Sequence, residues 1–505
     1  MSHHPLTVEL WSPSLPQSFQ LLRLSGYEAI SECFDLSLHF APPDAEVDVD
    51  ACLKPGTRAA VVFKRHDQVI RVIHGCLLEL ETRSASAESS DVPAGWVARF
   101  APRLWSSKFQ IHTQVHDGPL HEIVERVLRR SGLHKGLDYE FRLAETYPSR
   151  EFAFQYKESD FAFVSRLLEH WGIAFSFEHG TRDRVIFTDG NAAMLDIACW
   201  RAPAGDAGER DPEGDVPENP SAGHKTTTTL HFTQFGGSEE AASDSVVEHS
   251  RRTQRVPARF ATHDYNYRLP HVRLEAQHEV LEQGDGSVVE HGLHPKLPDE
   301  AAHFAKIRAE LLGSARILHR GIAGSPLLRA GGSFRLHPDS EGNDTSLLVH
   351  RVEHCLAGTY SARFHAQPME ATYRPALLTP RPVIAGYLSG VVQGEDPVRP
   401  NLDAQGRYQV AFNCEDDQPD GQRPRRPMRM LQSHAGANYG MHFPLKPGTE
   451  VAIGFMNGDP DRPFIAGALP NPITPSPVRG ERGNLRRNVI QSMNGVRVEL
   501  DDGSR

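Results

Sequence analysis

The pentapeptide His350-Arg351-Val352-Glu353-His354 concentrates more chemistry than any other short stretch of this chain. Two imidazoles and a carboxylate in the order HxxEH are the ligands and base of inverted zinc proteases. That chemistry needs a helix, which brings both histidines and the glutamate to one face. The flanks here, Leu347-Leu348-Val349 and Cys355, have the β-branched alternation of a strand. A strand puts His350, Val352 and His354 on one side and Arg351 and Glu353 on the other. The pattern is therefore expected to hold no metal. Asp459 and Asp461 flank Pro460 in Gly458-Asp459-Pro460-Asp461-Arg462-Pro463. Two carboxylates can do acid–base work, but Gly-Asp-Pro between strands is turn chemistry. Glu415-Asp416-Asp417 lacks the alternate spacing of a calcium loop. Arg423-Pro424-Arg425-Arg426 reads as a solvated basic loop. Neither GxSxG nor GxxxxGK[ST] occurs, so a nucleophile elbow and a P-loop are excluded. The residues name no catalytic, cofactor-binding or metal site, which favours a structural or delivery protein over an enzyme.

The elements that carry these residues are mostly strands. Phe34, Leu36 and Leu38 alternate with polar neighbours, and the runs 60–63 and 69–73 are separated by a polar turn. With the strand around 96–100, these suggest a barrel or sandwich. Leu120, Ile123, Val124, Val127 and Leu128 predict a helix that opens at Pro119 and stops at Gly132. A second helix is predicted over 159–170, with Phe161, Val164, Leu167, Leu168 and Trp171 as its stripe and Gly172 as its left-handed stop. Residues 201–228 are rich in Pro, Gly, Asp and Glu and read as a mobile loop. Strands resume near 229 (Leu230, Phe232, Phe235), interrupted by a helix over 299–313. Beyond the stiff Thr379-Pro380-Arg381-Pro382, five short strands (387–392, 406–412, 428–432, 450–455, 464–469) suit a small closed barrel of the OB type. The last segment, Val496 to Leu500, alternates strictly.

The 505 residues carry a net charge of −11, with 27 His counted as neutral. The length fits three or four domains. The acidic balance argues against nucleic-acid binding, which needs a basic field. No apolar run reaches the length of a membrane-spanning helix. The N-terminus has neither a basic nor an apolar region, so no signal peptide is expected. The six Cys are far apart without any CxxC, and read as reduced, small core residues of a chain made in the cytoplasm.

Four stretches carry a family resemblance. Gln155-Tyr156-Lys157-Glu158-Ser159-Asp160, running on through Arg166-Leu167-Leu168-Glu169 to Gly172-Ile173, is the first. Tyr373-Arg374-Pro375, Thr379–Pro382 and Gly386 form the second. Gly406-Arg407-Tyr408-Gln409-Val410-Ala411-Phe412 is the third. Gly448-Thr449-Glu450-Val451 with Gly458–Pro463 is the fourth. In these the chain resembles VgrG, the spike family of bacterial type VI secretion, itself related to the hub and spike of contractile phage tails. Tyr408, Met428-Arg429-Met430 and Tyr439 depart from the family's usual residues as core swaps.

The resemblance implies a mainly β fold with some α: a phage-hub-like double barrel with an αβ insert, an OB-fold barrel, and the start of a trimeric β-prism. It implies hub barrel 1 over 1–105, the insert and acidic loop over 106–228, and hub barrel 2 over 229–378. The OB domain would span 383–475 and the prism start 476–505. Structural motif residues are then Gln155, Tyr156, Glu158, Asp160, Arg166, Glu169, Gly406, Arg407, Gly448, Glu450, Gly458, Asp459, Pro460, Asp461, Arg462 and Pro463. Val489, Val496, Val498 and Leu500 are candidates for a three-fold axis, and the chain is expected to continue past Arg505. The implied partners are two further copies, an Hcp tube hexamer, a PAAR tip protein, baseplate components, and effector or adaptor proteins, with no nucleic acid and no cofactor. Assembly would be cytoplasmic, with export by contraction. A prophage or extracellular injection spike is the near alternative, and a hydrolytic effector enzyme the alternative of another class.

Overall fold

A computed structural model describes residues 6–41, 47–83, 95–197, 217–220, 227–232, 245–338, 342–415 and 424–503. Most of the acidic segment 201–228, and Phe235, Cys199, Asp416, Asp417 and Arg423, lie outside the described residues. The described chain divides into two compact units. The first comprises Met1–Gln110, Val124–Tyr147 and Asp160–Pro380; the second comprises Ile111–Ile123, Pro148–Ser159 and Arg381–Arg505.

The first unit starts with β1 (Thr7–Trp11), β2 (Phe19–Ala29), β3 (Asp35–Phe40), the short helix α1 (Val49–Leu53), β4 (Ala59–Arg65), β5 (Gln68–Arg83) and β6 (Gly95–Ala101). The six strands pair in the order β1-β4-β5-β6-β3-β2, and β1 pairs back onto β2 to close a ring. The β4–β5 hairpin turns on His66 and Asp67, both at positive φ (52 and 60), as a two-residue turn requires. Register puts Val8, Leu10, Val61, Phe63 and Ile73 on one face, where all are buried.

Between this ring and the next come β7 (Ile111–Pro119), α2 (Leu120–Arg130), β8 (Tyr139–Arg142), β9 (Ser149–Ser159), α3 (Asp160–Trp171), β10 (Ala174–His179), β11 (Asp183–Thr188) and β12 (Leu195–Asp196). Both predicted helices are present, and Gly132 (φ 80) and Gly172 (φ 71) take the left-handed stops. In the first unit β10 pairs antiparallel with β11, and β11 parallel with β8.

The second ring is built from β13 (Thr229–Phe232), β14 (Ser245–Thr253) and, after an excursion through β15 (Arg259–Asp264), β16 (Leu274–Glu279), β17 (Ser287–His291) and α4 (Pro298–Ser314), from β18 (Ile317–Ala323), β19 (Gly332–His337), β20 (Thr345–Ala357) and β21 (Thr359–Pro368). Its order is β20-β21-β18-β14-β13-β19, with β19 returning to β20. Leu336, Leu347, Val349, Val352, Phe334 and Phe364 belong to its core. The two rings share one seam, the antiparallel ladder of β2 with β20 from Arg23↔Ala357 to Ala29↔Arg351. Gly26 lies in that ladder at φ 144, where a Cβ would stand 2.1 Å from the Asp35 carbonyl oxygen, so only glycine fits.

The second unit contains β22 (Leu388–Gln393), β23 (Tyr408–Phe412), β24 (Arg426–Met428), the small hairpin β25 (Ala435–Gly436) and β26 (Tyr439–Gly440), β27 (Glu450–Phe455), β28 (Pro463–Ala468), and a last hairpin of β29 (Arg487–Gln491) and β30 (Arg497–Asp501). The sheet order β24-β23-β22-β27-β28 is closed by a parallel bridge between Met430 and Ile465. The predicted strand 428–432 is thus split. Its start pairs with β23 up to Met428, and Arg429 and Leu431 then exchange backbone hydrogen bonds with Ile465 (2.9 and 2.8 Å). This change of partner closes the OB-type barrel. The sequence reading placed 106–228 in one insert, whereas β7 and β9 belong to this second unit. The cause is the alternation Phe152, Phe154, Tyr156 in β9, which packs against Val410, Phe412, Ile453 and Phe455 of the barrel core.

Among the described residues no helix is long and apolar enough to cross a membrane. Cys33 and Cys52 are buried and Cys76 is partly buried, but Cys355 and Cys414 are exposed, so not every Cys is a core residue.

Candidate functional site

The HxxEH segment lies in β20, and its two histidines face opposite ways. The expected common side for His350, Val352 and His354 fails because of a β-bulge between Val349 and Arg351. Before the bulge Leu347 and Val349 enter the ring core; after it Val352 does. His350 instead stacks on Tyr373 (6.4 Å), while His354 Nε2 meets Glu28 Oε1 (2.8 Å). Among the described residues no group of three or more His, Cys, Asp or Glu side chains is placed to hold a metal.

The first family stretch is divided between the units. In the second, Gln155 is fully buried; its amide donates to the Glu158 carbonyl (3.1 Å) and its carbonyl meets His116 Nε2 (3.3 Å). These bonds hold the bulged end of β9, where Lys157 takes φ 50. Tyr156 packs edge-on to Phe154 (5.7 Å). In the first unit, Asp160 opens α3 fully buried, accepting from Arg130 and from the Ser131 hydroxyl (2.9 Å). Its carboxylate also suits the positive end of the helix. Arg166 lies over the Phe163 ring (5.0 Å). Glu169, near the end of the same helix, accepts from the Thr379 N–H (2.9 Å) and hydroxyl (2.7 Å). Burial raises the Glu169 carboxyl above its usual range, against these two bonds. Arg374 is buried beside it, donating to Glu310 (2.6 Å) and to the carbonyls of Gly172 (2.9 Å) and Asp189 (2.7 Å). Asp160, Glu169 and Arg374 therefore fix α3 and the segment that leaves the first unit.

The barrel motifs are joints of the same kind. Gly406 (φ 72) turns the chain into β23, and Arg407 donates through Nε to Asp403 (2.6 Å), which also takes the Arg407 N–H (2.9 Å). Asp403 was not singled out from sequence; a carboxylate three residues before Gly-Arg was the available signal. Gly448 (φ 86) donates to the Val392 carbonyl (2.8 Å), and Glu450 takes the Asn471 amide (2.8 Å). In the Gly458–Pro463 stretch the Arg462 N–H closes a turn on the Asp459 carbonyl (3.0 Å), around a buried Pro460. Pro463 then opens β28. Arg381 forks onto Asp459 (3.1 Å) and Asp461 (3.4 Å), and Asp461 also caps the Phe154 N–H (2.7 Å). The paired carboxylates are occupied by structural donors. Tyr408, the core swap, is fully buried and its hydroxyl accepts the Leu445 N–H (3.2 Å), as a buried phenol requires.

The last hairpin has two unlike faces. Ile490 pairs with Val498 and Asn488 with Leu500, so Ile490, Val498 and Leu500 share a face, all exposed. Val496 is exposed just before the strand. Val489 does not join them: it pairs with Glu499 on the other face, among Arg487 and Arg497. Ile490, and not Val489, shares the face of Val498 and Leu500.

Two six-stranded rings sharing a seam, with a small five-stranded barrel in the second unit, define a tail-hub type of protein with an injector-type OB barrel. The family of phage tail baseplate hub (GPD) proteins matches residues 27–359, and the type VI secretion system/phage-baseplate injector OB domain matches 390–469. The chain belongs to the phage tail baseplate hub family. It is similar to the type VI secretion system spike proteins VgrG1c and VgrG5 of Pseudomonas aeruginosa, at 26% and 27% identity over 93% of its length. It spans 62% and 57% of those two relatives. The E. coli c3393 protein, a component of the type VI secretion system with structural similarity to T4 bacteriophage tail proteins gp27 and gp5, has the same fold. That match has a TM-score of 0.61 at 23% identity, covering 91% of this chain and 99% of that one.

Proposed function

We propose that this protein is the hub and base of a type VI secretion spike, acting as a homotrimer. The observation that carries this reading is the pair of six-stranded rings within one chain. Three copies supply six rings about one axis, a pseudo-sixfold collar that matches an Hcp hexamer. The exposed face of Ile490, Val496, Val498 and Leu500 supports the reading, since a two-stranded hairpin cannot bury such a face alone and three wound together can. A PAAR tip, baseplate proteins and effector or adaptor proteins would complete the assembly, formed in the cytoplasm and driven out by contraction. The joints at Asp160, Glu169, Arg374 and Arg381 serve the rigidity that this demands, and no catalysis is required. Light scattering is expected to give three times the 56.1 kDa chain mass, and images a three-fold particle that binds Hcp hexamers one to one. A monomer at micromolar concentration that ignores Hcp overturns the proposal. The phage hub family match also suits a prophage or extracellular injection spike; binding to a phage tube protein in preference to Hcp would select it.

A further inference from the structure

The seam between the two rings is lined with buried imidazoles and is poor in carboxylates. Glu28 of β2 accepts from Arg71 Nη2 of β5 and meets His354 Nε2 of β20 (2.8 Å). His354 Nδ1 pairs with the Tyr360 hydroxyl of β21 (2.7 Å). Arg71 Nη1 donates to the carbonyls of Pro326 (2.8 Å) and Leu328 (2.7 Å), so a side chain of the first ring holds backbone of the second. Nearby, His179 Nδ1 of β10 accepts the backbone N–H of His74 in β5 (3.1 Å), with the two rings 6.4 Å apart. His74, His179 and His354 are all buried, and Nε2 of His74 and of His179 has no hydrogen-bond partner among the described residues.

We propose that this seam is an acid-sensitive joint, closed while His74, His179 and His354 are neutral and opened by their protonation. The hydrogen bond at His179 gives the chemical reason. Its Nδ1 is an acceptor facing a backbone donor, so its one proton sits on Nε2. A second proton at Nδ1 sets donor against donor and adds a charge in a buried site. Of the charged groups that face these imidazoles, Glu28 favours their protonation and the guanidiniums oppose it. His354 faces Glu28 and Arg71; His179 faces Glu28, His74, Arg71 and Arg329; His74 faces Arg58, Arg182 and the Gly180 carbonyl. Glu28, the carboxylate that faces both His354 and His179, is already engaged by Arg71. Asp183, opposite His179 in the β10–β11 register, gives its carboxyl to the Arg103 N–H (2.7 Å). Burial lifts Asp183 to about 7, so its protonation in acid stabilises the fold and offsets part of the loss from the imidazoles. Burial pulls His74 down to about 4 and holds His179 well below the imidazole range.

The sign follows from proton linkage. An unfolded His binds its proton near pH 6.5, before these folded ones do. Stability from the neutral seam is full above that pH and is lost as pH falls toward 4. The test is hydrogen exchange of the full chain at pH 7.4 and 4.5, corrected for intrinsic rates. Protection of β5 and of the β2–β20 ladder is expected to fall in acid by up to about tenfold per depressed imidazole for each pH unit below about 6.5, part of it offset by Asp183, while β23 and β27 hold theirs. His179→Gln keeps an acceptor for the His74 N–H but cannot be protonated, and should move the acid midpoint of the seam to lower pH. An unchanged midpoint in H179Q, or loss of protection in both units together, overturns the proposal. If H179Q does not fold, deuterium exchange at the imidazole C2 of the wild-type chain decides: titration of His74 and His179 near pH 6.5 overturns it, and its absence down to pH 5 supports it.

Discussion

The seam between the rings and the core of the OB unit are held together by different physics. At the ring seam, Arg71 and His354 both bond to Glu28, while Arg71 has no exposure and Glu28 and His354 almost none. The OB unit fills its centre with Phe154, Val410, Phe412, Ile453 and Ile465, and keeps the fork of Arg381 on Asp459 and Asp461 nearer the surface. An apolar core gains free energy in proportion to area and accepts many arrangements of similar volume. A buried ion pair contributes little net stability, because desolvation offsets attraction, but removing one partner is costly. The seam therefore sets which backbone groups meet, and the barrel core supplies bulk stability. The difference also assigns pH sensitivity to the rings.

The largest expected effect tests the apolar side. Phe154→Ala deletes a fully buried ring that lies 5.1 Å from Phe412 and 6.3 Å from Phe455. It is expected to destabilise the second unit by about 4 kcal/mol. Denaturant unfolding followed by exchange at β23 and β27 measures this, and protection of β2 and β20 should not change. Equal loss in both units would show that the comparison is drawn at the wrong place.

The next effect belongs to the seam. Arg71→Met leaves the Glu28 carboxylate buried without its guanidinium and the Pro326 and Leu328 carbonyls without a donor. A loss of about 3 kcal/mol is expected in the first unit. Adding Glu28→Leu removes the stranded charge and should recover most of it. Failure of the double variant to recover would mean that Arg71 acts through its carbonyl contacts alone. Within the family motif, Asp160→Asn should cost about 2 kcal/mol by weakening a buried charge-assisted pair with Arg130. Thermal unfolding of the first unit reads that loss.

What the sequence made legible follows the same division. Periodicity located α2, α3 and the OB strands, because each buries one face against a core and so repeats at the element's own period. It missed the passage of β9 into the second unit, although Phe152, Phe154 and Tyr156 alternate, because alternation states that a face is buried and not where. The bulge at His350 was equally hidden. One extra residue reverses every side chain after it, and nothing in Leu347-Leu348-Val349-His350 marks it. Val489 was misplaced for a related reason: hairpin register decides the face, and Val489 and Ile490 are equally apolar. The motif residues were found by resemblance, while their roles as joints came from partners distant in sequence, such as Thr379 for Glu169 and Arg381 for Asp459.

The smallest effect sharpens the comparison by keeping the chemistry and changing the surroundings. Arg487 pairs with Glu499 at 3.0 Å and lies 3.6 Å from Asp501, with nearly half of its side chain exposed. It is the same guanidinium–carboxylate contact as Arg71 with Glu28, but water screens it and both partners stay solvated when it breaks. Arg487→Ala is expected to cost less than about 0.5 kcal/mol, and the cost should vanish at high salt. Because Arg487 lies on the face opposite Ile490, Val498 and Leu500, the mass measured by light scattering should also stay as in the wild type. A loss approaching that of Arg71→Met would mean that this face is covered in the assembly, with a neighbouring chain supplying the desolvation that the single chain lacks.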